Sequence, residues 1–141
     1  MSKILILCTG NSCRSQMAHG WLNKFLQNQV EIYSAGTHPE RVNLYAVEVM
    51  NEKGVDISHY ISNHVEEYKD FYFDFVITVC DNAKEYCPVF PNAKTIMHHS
   101  FSDPAMAKGE KDKILPIYRK VRDELKEYLM SFCKKNLNYI N

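Results

Sequence analysis

Cys8 and Arg14 have five residues between them in the stretch Cys8-Thr9-Gly10-Asn11-Ser12-Cys13-Arg14-Ser15. A thiol and a guanidinium at that spacing suit one kind of chemistry. A turn of this length wraps backbone N–H groups around a point, a helix that follows adds the positive end of its dipole, and the arginine fork grips two oxygens of a tetrahedral anion. A cysteine in that setting is stabilised as thiolate, the nucleophilic form. The stretch therefore reads as an oxyanion-binding nucleophile, with Cys8 attacking and Thr9, Gly10, Asn11, Ser12, Cys13, Arg14 and Ser15 holding the anion. Gly10 lets the backbone turn inward, and Asn11 is among the few non-glycine types that tolerate left-handed dihedrals. Ser12 and Ser15 carry hydroxyls able to donate to the thiolate. The competing reading is a glycine-containing turn that buries a cysteine as a small hydrophobe.

Position in the chain favours the first reading. Lys3-Ile-Leu-Ile-Leu7 is a short apolar run of strand type, and Gln16 to Gln27 has the spacing of an amphipathic helix. Val30-Glu-Ile-Tyr-Ser34 alternates and ends at Ala35-Gly36, which completes a βαβ unit. Asn43 is placed to cap a helix through Leu44, Val47 and Met50 that ends near Gly54. His59 to Asp70 reads as a loop with a short helix. Asp74-Phe-Val-Ile-Thr-Val79 is a buried strand rich in β-branched and aromatic residues, and it delivers Cys80 to its C-terminal end. Asp81 to Tyr86 reads as a short polar helix, and Ala93-Lys-Thr-Ile-Met97 as a fourth strand. From Lys108 onward, Ile114, Ile117, Val121, Leu125 and Leu129 mark a long amphipathic helix with Pro116 in or near its first turn. The tail from Lys134 to Asn141 is expected to fray. This order predicts an α/β fold, a four-stranded parallel open sheet with helices on both faces, in one domain spanning residues 1–141. Cys8 and Cys80 each follow an apolar strand, so both belong on the carboxyl edge of the sheet, where open α/β sheets bind ligands.

Composition excludes other classes. With 17 basic and 17 acidic residues in 141, no broad field favours nucleic acid or an anionic membrane. No stretch approaches the roughly 18 apolar residues of a membrane span, and the N-terminal apolar run is too short for a signal peptide. A cytoplasmic, monomeric protein is expected. Five cysteines in a reducing compartment are more often catalytic, metal-binding or inert than disulfide-bonded.

Cys80 and Cys87 leave three readings open. Their six-residue gap exceeds the two to four usual between paired zinc ligands, although His98 and His99 offer themselves as completing ligands. They also read as two inert cysteines, or as a redox pair. Cys13 and Cys133 are assigned to structure or incidental exposure. Asp103-Pro104, taken alone, reads first as a turn former.

The eight-residue loop after an N-terminal strand, with Tyr33-Ser-Ala-Gly36, Cys80-x6-Cys87-Pro88 and Asp103-Pro-Ala105, resembles the low-molecular-weight protein tyrosine phosphatases. It more closely resembles the thioredoxin-coupled arsenate reductases built on the same fold, because Gln16 stands where the phosphatases usually carry Pro. The resemblance covers nearly the whole chain. It implies that Asp103 is a general acid and that Ser34 lies near the anion loop. It further implies a relay in which Cys8 attacks arsenate, Cys80 is the first resolving thiol and Cys87 the second, with thioredoxin reducing the last disulfide and phosphate competing with arsenate. No cofactor or metal is implied for this chemistry. Hydrolysis of phosphotyrosine is the alternative, needing only Cys8, Arg14 and Asp103, but Ala105 occupies the place where those phosphatases usually carry a substrate-stacking aromatic. His19 replaces an acidic residue that in some relatives helps hold a potassium ion, which puts that ion in doubt here.

Overall fold

The computed structural model describes residues 1–81 and 89–137. Four parallel strands, β1 (Lys3–Cys8), β2 (Glu31–Gly36), β3 (Phe73–Thr78) and β4 (Ala93–His98), form one sheet in the order β2-β1-β3-β4. The chain leaves β1 for β2 on one side and returns across it for β3, so the strand order reverses between β1 and β3. A ligand crevice is expected outside the carboxyl ends of those two strands. Leu7 pairs with Thr78 in the β1–β3 register, which brings the residues after each strand to the same edge.

The period of two in β1 divides the core. Ile4, Ile6 and Cys8 face a cluster built from the helices α1 (Arg14–Leu26), α2 (Leu44–Asn51) and α3 (Lys111–Asn136). Leu5 and Leu7 face the opposite way, into a smaller cluster with Ala35, Phe73, Val76 and Phe90. Among the described residues, that second face is covered by the 3-10 turn Val65–Tyr68 and by aromatic rings in edge-to-face contact, among them Tyr33 with Phe73 at 5.6 Å. Among the described residues the expected helices on both faces take this form: three α-helices on one side, a 3-10 helix on the other.

Local chemistry explains the element ends. Asn43 caps α2 as expected, its side chain accepting from the N–H groups of Tyr45 and Ala46. The helix stops at Asn51, before Gly54, whose φ of +74° turns the chain toward β3. The last helix, whose start the sequence leaves open, begins at Lys111, because Gly109 takes a φ of +120° that no helix accommodates. Pro116 is therefore its sixth residue, just beyond the first turn, and the bond its N–H would have made to the Asp112 carbonyl is lost. Arg122 of α3 is buried, donating to the Val49 carbonyl and pairing with Glu52 at 2.8 Å, while Trp21 of α1 donates to the Arg122 carbonyl. These contacts lock the three helices together beneath the sheet edge that carries Cys8. The helix expected from Asp81 to Tyr86 falls, beyond Asp81 itself, on residues 82–86, which with Cys87 lie outside the described residues; so does the tail beyond residue 137.

Candidate active site

The loop from Cys8 to Ser15 is held by its carbonyl groups. The main-chain N–H groups of His38, Glu40 and Asn43 donate to the carbonyls of Thr9, Gly10 and Ser12, each at 2.9 Å. The Asn11 carbonyl accepts from the Gln16 amide at 3.0 Å and from the Ser62 hydroxyl at 2.6 Å. A peptide plane carries its C=O and N–H on opposite sides. With four consecutive carbonyls bound outward, the N–H groups of Gly10, Asn11, Ser12 and Cys13 face the hollow of the loop. The first turn of α1 adds its own N–H groups, for it has no acidic residue and no side-chain cap to satisfy them.

Two backbone positions allow this shape. Asn11 has a φ of 47°, the left-handed conformation anticipated for it. Gly36, at the end of β2, passes so close that an added Cβ would lie 2.3 Å from the Thr9 carbonyl oxygen and 2.9 Å from both the Cys8 oxygen and the Asn11 nitrogen. Only glycine fits against the loop there.

The side chains complete a cleft of about 320 Å³ lined by Cys8, Thr9, Gly10, Ser12, Cys13, Arg14, His38, Glu40, Asp81, Ser102, Asp103, Ala105 and Met106, while Asn11 and Ser15, also expected to hold the anion, are buried and do not line it. Cys8 Sγ and Ser15 Oγ are 3.0 Å apart, and Asn11 Nδ2 donates to the same Ser15 oxygen at 2.7 Å. Ser15 thus receives one hydrogen bond from Asn11 and can turn its own hydrogen onto a Cys8 thiolate. Ser12, the other hydroxyl expected to serve the thiolate, instead donates to the Arg41 carbonyl at 2.7 Å. Its role is to tie down the loop, because the segment after β2 folds back over it.

Arg14 is buried, and its Nη1 donates to the Phe101 carbonyl at 3.1 Å while Nη2 lies 3.6 Å from Asp103 Oδ2. Asp103 caps the 3-10 turn Pro104–Met106, accepting from the Ala105 N–H at 3.0 Å. Asp103 thus forms the turn its sequence suggests and also faces the cleft. Ala105 lines the same cleft with a methyl group and no ring.

Cys80 is fully buried, with Sγ 3.9 Å from the Leu7 carbonyl oxygen, the group immediately before Cys8. The Val79 N–H donates to that same oxygen at 3.0 Å. The two strand-end cysteines are therefore brought together at the β1–β3 edge. Cys13 is buried within the loop, and burial, followed by the nearby Asp103 and Cys8 charges, pushes its thiol well above the ordinary range. Cys133 lies on α3 away from the cleft, its thiol raised to about 11 by burial.

His98 and His99 are engaged elsewhere. His98 shares hydrogen bonds with Thr78 and Ser100, and His99 packs on Phe101 and Tyr128. Ser34 does not line the cleft; its hydroxyl meets His19 Nδ1 at 2.8 Å. Burial holds His19 down at about 4, so the imidazole is neutral. A neutral ring bonded to Ser34, beside an Asn63 whose N–H groups already donate to Asn11 and to the Ser34 carbonyl, does not fit a potassium ion. The supporting residues His38, Glu40, Ser62 and Phe101 escaped the sequence reading, as did the hold of Asn43 on the loop beyond its cap, since most act through main-chain groups that carry no residue-type signature.

Comparison with known proteins agrees with this geometry. The arsenate reductase of Halalkalibacterium halodurans is 41% identical over 131 residues, covering 93% of this chain and 94% of that protein. The solved structure of an arsenate reductase in the phosphate binding state superposes with a TM-score of 0.82 at 29% identity, covering 96% of this chain and 98% of the other. That of an arsenate reductase in the oxidized state gives 0.79 at 27% identity, covering 93% and 95%. Residues 3–139 match the family described as low molecular weight phosphotyrosine protein phosphatase. With its oxyanion loop, parallel sheet and cleft built as described, the chain belongs to the low molecular weight phosphotyrosine protein phosphatase family, within which the relatives named here are arsenate reductases.

Proposed function

We propose that this protein reduces arsenate to arsenite through Cys8, Cys80 and Cys87, with thioredoxin restoring the dithiol. The observation that carries this reading is the buried Cys80 placed against the Leu7 carbonyl, next to a nucleophile already seated in an oxyanion loop. Hydrolysis has no use for a second thiol at that point. A small methyl at Ala105 and the relatives' arsenate reductase activity favour the same choice.

Arsenate binds the inward N–H groups and Arg14. The Cys8 thiolate, assisted by Ser15, attacks arsenic, and one arsenate oxygen leaves as water with a proton supplied from Asp103. The Cys80 thiolate then attacks Cys8 Sγ. The S–As bond breaks with its electron pair going to arsenic, so As(V) departs as As(III) arsenite while a Cys8–Cys80 disulfide forms. The Cys87 thiolate attacks Cys80, freeing Cys8 and leaving a Cys80–Cys87 disulfide, which two electrons from the thioredoxin dithiol reduce. Phosphate, isosteric with arsenate, competes for the loop. One copy of the chain carries the Cys8, Arg14, Cys80 and Asp103 groups, so a monomer suffices, and the proposed exchange with thioredoxin is consistent with work in the reducing cytoplasm.

The test is arsenite formation with thioredoxin and its reductase, run beside hydrolysis of p-nitrophenyl phosphate. Cys8→Ser is expected to abolish both activities. Cys80→Ser and Cys87→Ser should abolish thioredoxin-coupled turnover and spare hydrolysis. Equal loss of hydrolysis in all three variants would sink the assignment of roles.

A further inference from the structure

The helix α3 reaches the anion loop through one side chain. Tyr118, only 2% exposed, extends from α3, and its hydroxyl accepts from the Asn43 side-chain amide at 3.0 Å. Asn43 uses each of its other polar groups as well. Its Oδ1 accepts from the N–H groups of Tyr45 and Ala46, and its main-chain N–H donates to the Ser12 carbonyl at 2.9 Å. The Tyr45 ring packs on Tyr118 with centroids 5.4 Å apart, which holds the phenol from the side.

An asparagine amide is planar, so fixing its oxygen on the α2 N-terminus and its nitrogen on Tyr118 leaves the side chain one orientation. The Asn43 backbone then has one position from which to donate to Ser12. That donation sets the plane of the peptide between Ser12 and Cys13, and with it the direction of the Cys13 N–H toward the hollow of the loop. Burial, with smaller contributions from the Cys13 and Asp103 charges, raises the Tyr118 hydroxyl to about 12, so it stays protonated and can accept from Asn43 at any working pH.

We infer that Tyr118 and Asn43 are a pair of positioning residues for oxyanion binding, aiming the Cys13 N–H at the bound anion from α3 without touching it. Positioning of donors is where such sites gain selectivity for the bound anion, because a preset N–H needs no reorientation when charge arrives. The inference rests on the oxyanion reading of the loop and not on the reductive steps.

Inorganic phosphate is the probe, titrated calorimetrically into wild type, Tyr118→Phe, Asn43→Ser and the double variant. Tyr118→Phe keeps the ring and loses the hydroxyl. Asn43→Ser keeps a helix-capping oxygen and the main-chain donor to Ser12 but loses the amide. Each single change is expected to weaken phosphate binding about three- to tenfold, the scale of one hydrogen bond. The double variant should be no weaker than the weaker single variant, because both remove the same link. The phosphate-induced shift of the Cys13 amide signal should shrink in parallel, with the arsenate KM rising more than kcat falls. Additive losses, or lowered melting temperatures with unchanged phosphate affinity, would overturn the proposal. Should Tyr118→Phe fail to fold, Asn43→Ser alone decides it on phosphate affinity and the Cys13 signal. A wild-type protein that binds phosphate but forms no arsenite would refute the reduction and leave this positioning role intact.

Discussion

Arg14 Nη2 lies 3.6 Å from Asp103 Oδ2, so the guanidinium proposed to receive the oxyanion already faces a carboxylate across the cleft. An incoming dianion competes with Asp103 for Arg14, and replacing the carboxylate by an amide removes that competition together with the proton donor. Asp103→Asn should therefore slow the first chemical step by on the order of 10²-fold, the usual scale for a positioned acid, while phosphate binds at least as tightly as in wild type. Rapid-quench measurement of the first turnover beside a phosphate titration checks both halves. Unchanged turnover with weakened phosphate binding would mean that Asp103 serves binding instead.

Ser15 Oγ lies 3.0 Å from Cys8 Sγ and accepts from Asn11 Nδ2 at 2.7 Å. Ser15→Ala should slow alkylation of Cys8 by iodoacetamide at pH 7 by about 10- to 100-fold, the range for a lost hydrogen bond to a charged group. Asn11→Ala is expected to act in the same direction. Mass spectrometry must locate the label, since Cys13 and Cys80 are also present; equal rates in wild type and Ser15→Ala would show that the hydroxyl does not hold the thiolate.

A methyl group at Gly36 would collide with three backbone atoms of the loop, none of which belongs to a flexible side chain. Gly36→Ala should cost about 1–3 kcal/mol of stability, the scale of forced overpacking, and should abolish phosphate binding even where the protein remains folded. Urea unfolding and calorimetry read the two effects separately. Full phosphate affinity in a folded Gly36→Ala protein would mean that the loop shifts without consequence.

His19 provides the pH prediction. Burial lowers it from 6.5 to about 4, so the unfolded chain takes up a proton between those values that the folded chain refuses. Stability contributed by the neutral ring is fully present above pH 6.5 and declines as the pH falls toward 4. From pH 7 to pH 5 this group alone accounts for a loss of about 2 kcal/mol. His19→Gln, which can still meet the Ser34 hydroxyl, should lose that much less over the same interval in urea unfolding. Parallel pH profiles for the two proteins would contradict a neutral buried imidazole.

Strand and helix periodicity, the spacing of Cys8 and Arg14, the left-handed tolerance of Asn11, the capping signal of Asn43 and the apolar strands ending at Cys8 and Cys80 are all local properties. From them the amino-acid sequence alone determined the α/β class, the parallel sheet and the edge on which the chemistry lies. It also placed Asp103 in a turn, although only its resemblance to a family made it an acid. What the tertiary structure decided lies in contacts between segments distant along the chain. The return of residues 38–43 over the loop, which sends Ser12 to Arg41 and leaves Ser15 to face the thiol, runs through main-chain donors that any residue type supplies. The neutrality of His19 comes from burial against Ser34 and Tyr60, and the requirement for Gly36 comes from the path of another strand. Periodicity records which face of an element is apolar; it cannot record which carbonyl a distant N–H will meet, and that meeting is what aims this site.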